Sequence, residues 1–239
     1  LSHDKDPFFK CLKVCFLLTS VSGTVNLPDM SANNKNKTEN SLQKTQAALV
    51  RAAVKEFAEH GYRKTLESDI AVRAGMPKEV FYNHFPSKEA LFRFLSSRFL
   101  IEISDAFFKV DRLFVGETGA AVRAGLKEFI LTLIEIYTKN HTVVEILFRE
   151  RSGHGGQFGN IYENIFLEVI RLIEYRLQLG VNVGRLKVKD THMAAVFLMG
   201  LFEQTVFYSM LMPAKPEPHE LAVKISDFML HGLGFRDDP

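Results

Sequence analysis

From Ser41 onward the apolar residues of this chain recur with the period of a helix, and no run alternates as a half-buried strand does. Leu42, Ala47, Leu49, Val50, Ala53, Val54 and Phe57 form the first such stripe, spaced to share one face. Asn40 or Ser41 can cap its start, and Gly61 supplies a left-handed stop. Thr65 can cap a second helix, with Glu67 and Asp69 in its first turn complementing the helix dipole, and Gly75 ends it. Pro77 suits the first position of a third helix, where its missing N–H costs nothing. Pro86 stops that helix after Phe85, and Ser87 caps a long fourth one through Leu91, Phe94, Leu95, Phe99, Ile103 and Phe107. Beyond Gly116 the pattern predicts helices over about 118–139, 142–150, 158–180, 190–211 and 217–232, separated by Asn140 and by the segments 151–159, 180–184 and 212–218. The expected fold is all-α: an N-terminal three-helix head and a larger helical body.

The 239 residues suffice for both parts, and 21 Phe with no Trp make a phenylalanine-rich core. The net charge of +2 is unevenly spread, because residues 30–100 hold 12 Lys and Arg against 7 Asp and Glu while residues 101–239 hold 15 against 18. A basic front suits a polyanionic partner. The only cysteines, Cys11 and Cys15, precede every periodic segment, so the body needs no oxidising compartment. Residues 10–23, KCLKVCFLLTSVSG, fit either a short secretory signal or translated upstream sequence with the start at Met30; the second reading is preferred, since a basic, cysteine-free body does not look secreted. The polar stretch 31–40 reads as a disordered arm. The expected division is therefore 1–40 as an extension, 41–87 as the head and 88–239 as the body.

A helix ending in glycine, a tight turn and a second short helix make a helix-turn-helix, and Asp69–Ala74, Gly75-Met76 and Pro77–Phe85 have that form. Nine residues give a helix of roughly 13 Å, matched to a major groove about 12 Å wide. Phe81 and Phe85, four apart, can face inward, which turns Lys78, Glu79, Tyr82, Asn83 and His84 outward or to the flanks. Lys78 can donate to guanine, Asn83 can pair with adenine and Val80 can touch a thymine methyl. Tyr82, His84, Lys88 and Thr65 suit phosphates. From periodicity alone a short packing helix in a bundle fits equally well.

The stretch TLESDIAVRAGMPKEVFYNHFPSKEALF, with AAVKEFAEHGY before it, resembles the DNA-binding region of tetracycline-repressor (TetR) family regulators over residues 44–92. The spacing of FYNHF.SKE.L behind IA..AG carries the resemblance. Three residues depart from the family pattern: Pro77 stands where a Ser-like cap is usual, Val80 where Thr is common, and Leu66-Glu67 replaces the usual polar-then-apolar pair. The resemblance implies a homodimeric, ligand-controlled repressor that binds a palindromic operator and is released by a small hydrophobic effector. It also implies a protein of the cytoplasm at the nucleoid, with no membrane partner, no cofactor and no catalytic activity.

Within the body, Phe107, Phe129, Leu133, Tyr137, Phe148, Phe166 and Phe202 are the expected pocket lining, with Tyr137, Glu203 and Gln204 able to orient a polar group. A phenylalanine stripe is also what an ordinary core looks like. The eighth helix is apolar on more than one face and carries small residues, so it is expected to pack both in its own subunit and against a partner. By resemblance it forms the dimer face with the ninth helix, through Ala195, Phe197, Gly200, Leu201, Gln204 and Phe228. His141 with Glu145, His154 and His192 lack zinc-type spacing, and no metal is expected. Two rival readings stay open: an enzyme using the apolar pocket, although no paired nucleophile and base is recognisable, and a helical protein-interaction module.

Overall fold

The computed structural model describes residues 32–115, 118–150 and 157–237. Cys11, Cys15, the two readings of the N-terminal segment, Gly116 and His154 fall outside them. The described residues contain helices and turns and no strand. They divide into two compact units, one of residues 32–98 with 142–150 and 157–161, the other of 99–141 and 162–237.

The first unit opens with α1 (Ala32–His60). Its backbone is helical from Ala32, so neither Asn40 nor Ser41 starts it and the stretch expected as a disordered arm continues the helix. Leu49, Ala52, Ala53 and Phe57 form its buried stripe. Gly61 ends it at φ +80°, where only glycine is unstrained. Tyr62 then turns inward and packs against Phe57 and Phe92, with ring centroids at 5.1 and 5.4 Å.

Next comes α2 (Glu67–Arg73), whose N-cap is Leu66 rather than Thr65. A leucine cannot cap with its side chain, so Asp69 performs the capping: the Leu66 N–H donates to its Oδ2 at 3.0 Å. Gly75, at φ +69°, closes the helix, with its N–H on the Val72 carbonyl and the Met76 N–H on the Ala71 carbonyl, both at 2.9 Å. The short α3 (Lys78–His84) has Pro77 as N-cap rather than first helical residue, and Phe85 as C-cap. In α4 (Lys88–Lys109) the Ser87 hydroxyl accepts from the Ala90 N–H at 3.2 Å, which makes it the expected cap. Glu67 of α2 adds a second acceptor, taking the Lys88 N–H at 3.2 Å. The unit is completed by α6 (His141–Glu150) and the start of α7 (Gln157–Asn182).

The second unit contains the rest of α4 and α7, with α5 (Gly119–Lys139), α8 (Thr191–Leu211) and α9 (Pro218–Gly232). Thr118 and Asp190 cap α5 and α8 through their side chains. The α5 helix packs against α9 over much of its length. The chain after α9 is fastened by the Arg123 guanidinium, which donates to both carboxylate oxygens of Asp237 at 3.0 and 3.1 Å, and by Arg185 on the Asp237 carbonyl at 2.8 Å.

Candidate nucleic-acid interface and ligand cavity

The α3 helix is anchored by its two phenylalanines. Phe81 and Phe85 are buried with centroids 6.0 Å apart, and Phe85 packs on Phe94 at 5.6 Å. A short helix has little intrinsic stability, so this burial is what holds it in place. The opposite side presents Lys78, Glu79, Tyr82 and Asn83, all exposed, with Tyr82 44% accessible. The Lys78 ammonium lies over the Tyr82 ring at 5.4 Å. Val80 and His84 are half-buried flanks. Partial burial lowers the His84 pKa from its ordinary 6.5, so at neutral pH its imidazole is uncharged.

Two residues of the expected DNA-binding set sit elsewhere. Thr65 is 1% exposed, and its hydroxyl donates to the carbonyls of Gly61 at 2.9 Å and Glu56 at 3.3 Å. It braces the α1–α2 turn from within. The Lys88 ammonium donates to the carbonyls of Tyr62 at 2.9 Å and Thr65 at 2.7 Å, and lies 4.5 Å from the Tyr62 ring centroid. Its charge caps that same turn. Arg73, which the sequence reading passed over, clasps α2 to α1 by pairing with Glu56 and Glu59. Its spacing from the two glutamates, 17 and 14 residues, carries no local signal.

The second unit contains a partly open apolar cavity with about 70 Å³ of free space. Phe107, Phe129, Leu133, Tyr137 and Phe202 line it as expected. Phe148 does not, being buried in the other unit on α6, and Phe166 instead stacks on Tyr162 with centroids 5.7 Å apart. Leu113, Phe114, Met199, Leu233 and Arg176 complete much of the wall and were not foreseen, because they come from a turn, a helix centre and a helix end. Each of the two polar lining residues makes a hydrogen bond to a protein group. Arg176 donates to the Phe107 carbonyl at 3.0 Å, and the Tyr137 hydroxyl to Glu203 at 3.4 Å. Burial and the adjoining carboxylate raise the Tyr137 pKa well above its usual range, so the phenol keeps its proton. Tyr162 donates to the second Glu203 oxygen at 3.1 Å, and Glu203 is itself buried. Gln204 is exposed and does not line the cavity.

Along α8, Met193, Phe197, Gly200, Leu201, Gln204, Tyr208 and Leu211 recur at helical spacing on one side, and all but half-buried Leu201 are exposed. Phe197 is 67% accessible and Phe228 of α9 is 66%. Ala195, placed by expectation on the same face, is 0% accessible and belongs to its own unit's core. Of the histidines, His141 faces the Thr138 carbonyl and His192 pairs with Glu174, while Glu145 pairs with Arg149.

A family model described as bacterial regulatory proteins of the tetR family matches residues 49–95, and one described as the AefR-like transcriptional repressor C-terminal domain matches residues 124–225. The HTH-type transcriptional regulator YhgD of Bacillus subtilis is 22% identical over 160 residues, covering 66% of this chain and 81% of that protein. Among solved structures, the fatty acid degradation regulator FadR of Bacillus halodurans aligns at a TM-score of 0.65 and 21% identity, over 80% of this chain and 97% of that one. The SmeT–triclosan complex aligns at 0.64 and 20% identity, over 79% and 91%. These two likenesses speak for the fold. With the two family models covering head and body, and with the helix-turn-helix and cavity in place, the chain belongs to the TetR family of transcriptional regulators.

Proposed function

We propose that this regulator is a repressor that binds a palindromic operator as a homodimer and is released by a small hydrophobic effector. The observation that carries the reading is the split of α3 and its C-cap into buried Phe81 and Phe85 and an exposed Lys78, Glu79, Tyr82 and Asn83. Such a helix can enter a major groove with donors and acceptors at base edges. One reading helix has little specificity alone, and pairing two of them across a palindrome supplies it.

The exposed apolar side of α8, continued by Phe228, supplies the surface for that pairing. By length and composition α8 could cross a membrane. Its alternation of buried Met199, Phe202 and Val206 with exposed Phe197, Tyr208 and Leu211 suits instead a helix between two subunits, in a protein working in the cytoplasm at the nucleoid. The cavity supports the effector. A bulky apolar ligand exceeds the free space, so its binding favours a body with a wider cavity, and a ligand shifts an equilibrium only through such differential affinity. Residues of both units occur along α4, which makes it the element through which that shift is passed on.

Selection of the full chain against a randomised duplex pool tests this reading. The expected product is an inverted repeat whose binding is weakened by a subset of hydrophobic compounds. Recovery of no preferred sequence contradicts it, and a compound turned over to product revives the enzyme reading.

A further inference from the structure

The free space in the cavity, about 70 Å³, is well below the roughly 150 Å³ that admits even benzene, so a wall must yield before an effector enters. Most of the wall belongs to long packed helices, but one end of it does not. Leu113 and Phe114 come from the turn after α4, and Leu233 is the C-cap of α9. Directly after Leu233 the chain runs on as a strap of residues 234–237. Backbone bonds fasten this strap to the α7–α8 loop: the Lys187 N–H donates to the Leu233 carbonyl at 3.0 Å and the Arg236 N–H to the Arg185 carbonyl at 2.9 Å. Its ties to α5 are of another kind. The Arg123 guanidinium pairs with Asp237 and lies 5.1 Å from the Phe235 ring centroid. Arg123 and the wall residue Leu126 are three apart, so the pair stands one turn beyond the end of the α5 wall. Both its side chains are exposed, which makes it a weak bond that salt screens. Gly119, in the first turn of α5, is buried against Asp237, and a Cβ there would come within 2.6 Å of the Asp237 Cα.

We infer that this strap is a latch on the effector cavity: the Arg123–Asp237 pair opens, the strap leaves α5 together with the α7–α8 loop, and Leu233 withdraws from the wall to admit the ligand. This rests on the cavity being the effector site. Gly119 is the seat of the latch, since a residue without a Cβ lets the Asp237 backbone lie directly on α5. The strap closes again behind the ligand. Loosening it therefore speeds entry and exit alike and leaves the affinity nearly unchanged.

The test is stopped-flow binding of N-phenyl-1-naphthylamine, a neutral apolar dye, to the full chain. A latch that paces entry makes the observed rate level off as the dye concentration rises. Asp237→Asn and Arg123→Gln are expected to raise that plateau and the dissociation rate together, by roughly two- to fivefold, as suits the loss of an exposed ion pair, and to keep Kd within about twofold. Gly119→Ala displaces Asp237 without touching a charge and is expected to act in the same direction. Raising the salt concentration should lift the plateau of the natural chain and leave that of Asp237→Asn in place, an arm that needs no variant to fold anew. A rate that climbs linearly with dye, variants that change Kd alone, or a plateau indifferent to all three variants and to salt overturns the latch while the effector cavity stands. Failure of the dye to bind overturns the cavity reading and the latch with it.

Discussion

Replacing Lys88 with alanine removes an ammonium from two peptide carbonyls and an aromatic face, all of them within its own unit. Hydrogen bonds to charged groups contribute about 1.5–3 kcal/mol, and Lys88→Ala should lower the stability of the head by about that amount. Its affinity for DNA, measured well below the melting temperature, should change little. A chemical melt and a binding curve on the same variant separate the two effects. An unchanged melt with lost DNA affinity would return Lys88 to the phosphate-contacting set. His84 makes a second residue-scale prediction. Because burial lowers its folded-state pKa, both folded and unfolded chains hold it neutral above pH 6.5. As the pH falls below 6.5 the unfolded chain takes up the proton first, and stability declines until the folded-state pKa is passed. Thermal melts from pH 7.5 to 5.5 should therefore drop less steeply for His84→Gln than for the natural chain. Equal slopes would show that the imidazole titrates as if exposed.

Among the elements, α3 depends on what precedes and follows it. Gly75 sits in the left-handed region with open space around it, so Gly75→Ala meets no clash and should cost only the backbone strain, roughly 1–2 kcal/mol. Phe81→Ala, at a fully buried position, should cost about 3–5 kcal/mol and release α3 entirely. Circular dichroism melts of the two variants should differ by that margin. These features were legible because they are local. Gly75, Pro77, Pro86 and the four-residue spacing of Phe81 and Phe85 each act on neighbours in the chain, and so do the apolar stripes of the body helices. What stayed hidden acts over distance. Thr65 and Lys88 look like surface polar groups until the turn after Gly61 folds back over them, and Glu67 caps a helix that starts 21 residues later. Phe148 and Phe166 have the composition of a lining, but only packing decides which phenylalanines face a void. Ala195 shows the same limit on α8, where small size suits both a helix crossing and an ordinary core.

At the scale of the whole molecule, reading a palindrome requires two copies. Gly200 lies inside α8 and meets nothing within 4 Å when a Cβ is added, so Gly200→Ala should raise the melt of the isolated chain slightly, by the roughly 0.5–1 kcal/mol that separates alanine from glycine in a helix. If α8 forms the interface, the same substitution should weaken self-association, and Phe197→Asp should abolish it. Light scattering across a concentration series reads both. A monomer at micromolar concentration in the natural chain would remove the basis for a palindromic site. The central claim, that α3 reads DNA, is tested most directly by binding the selected duplex to the natural chain and to a Lys78→Ala, Tyr82→Ala, Asn83→Ala variant at two salt concentrations. The variant is expected to stay folded and to lose its preference for the selected sequence, since each base contact is worth about 1–3 kcal/mol of discrimination. A folded variant that discriminates as well as the natural chain would contradict it.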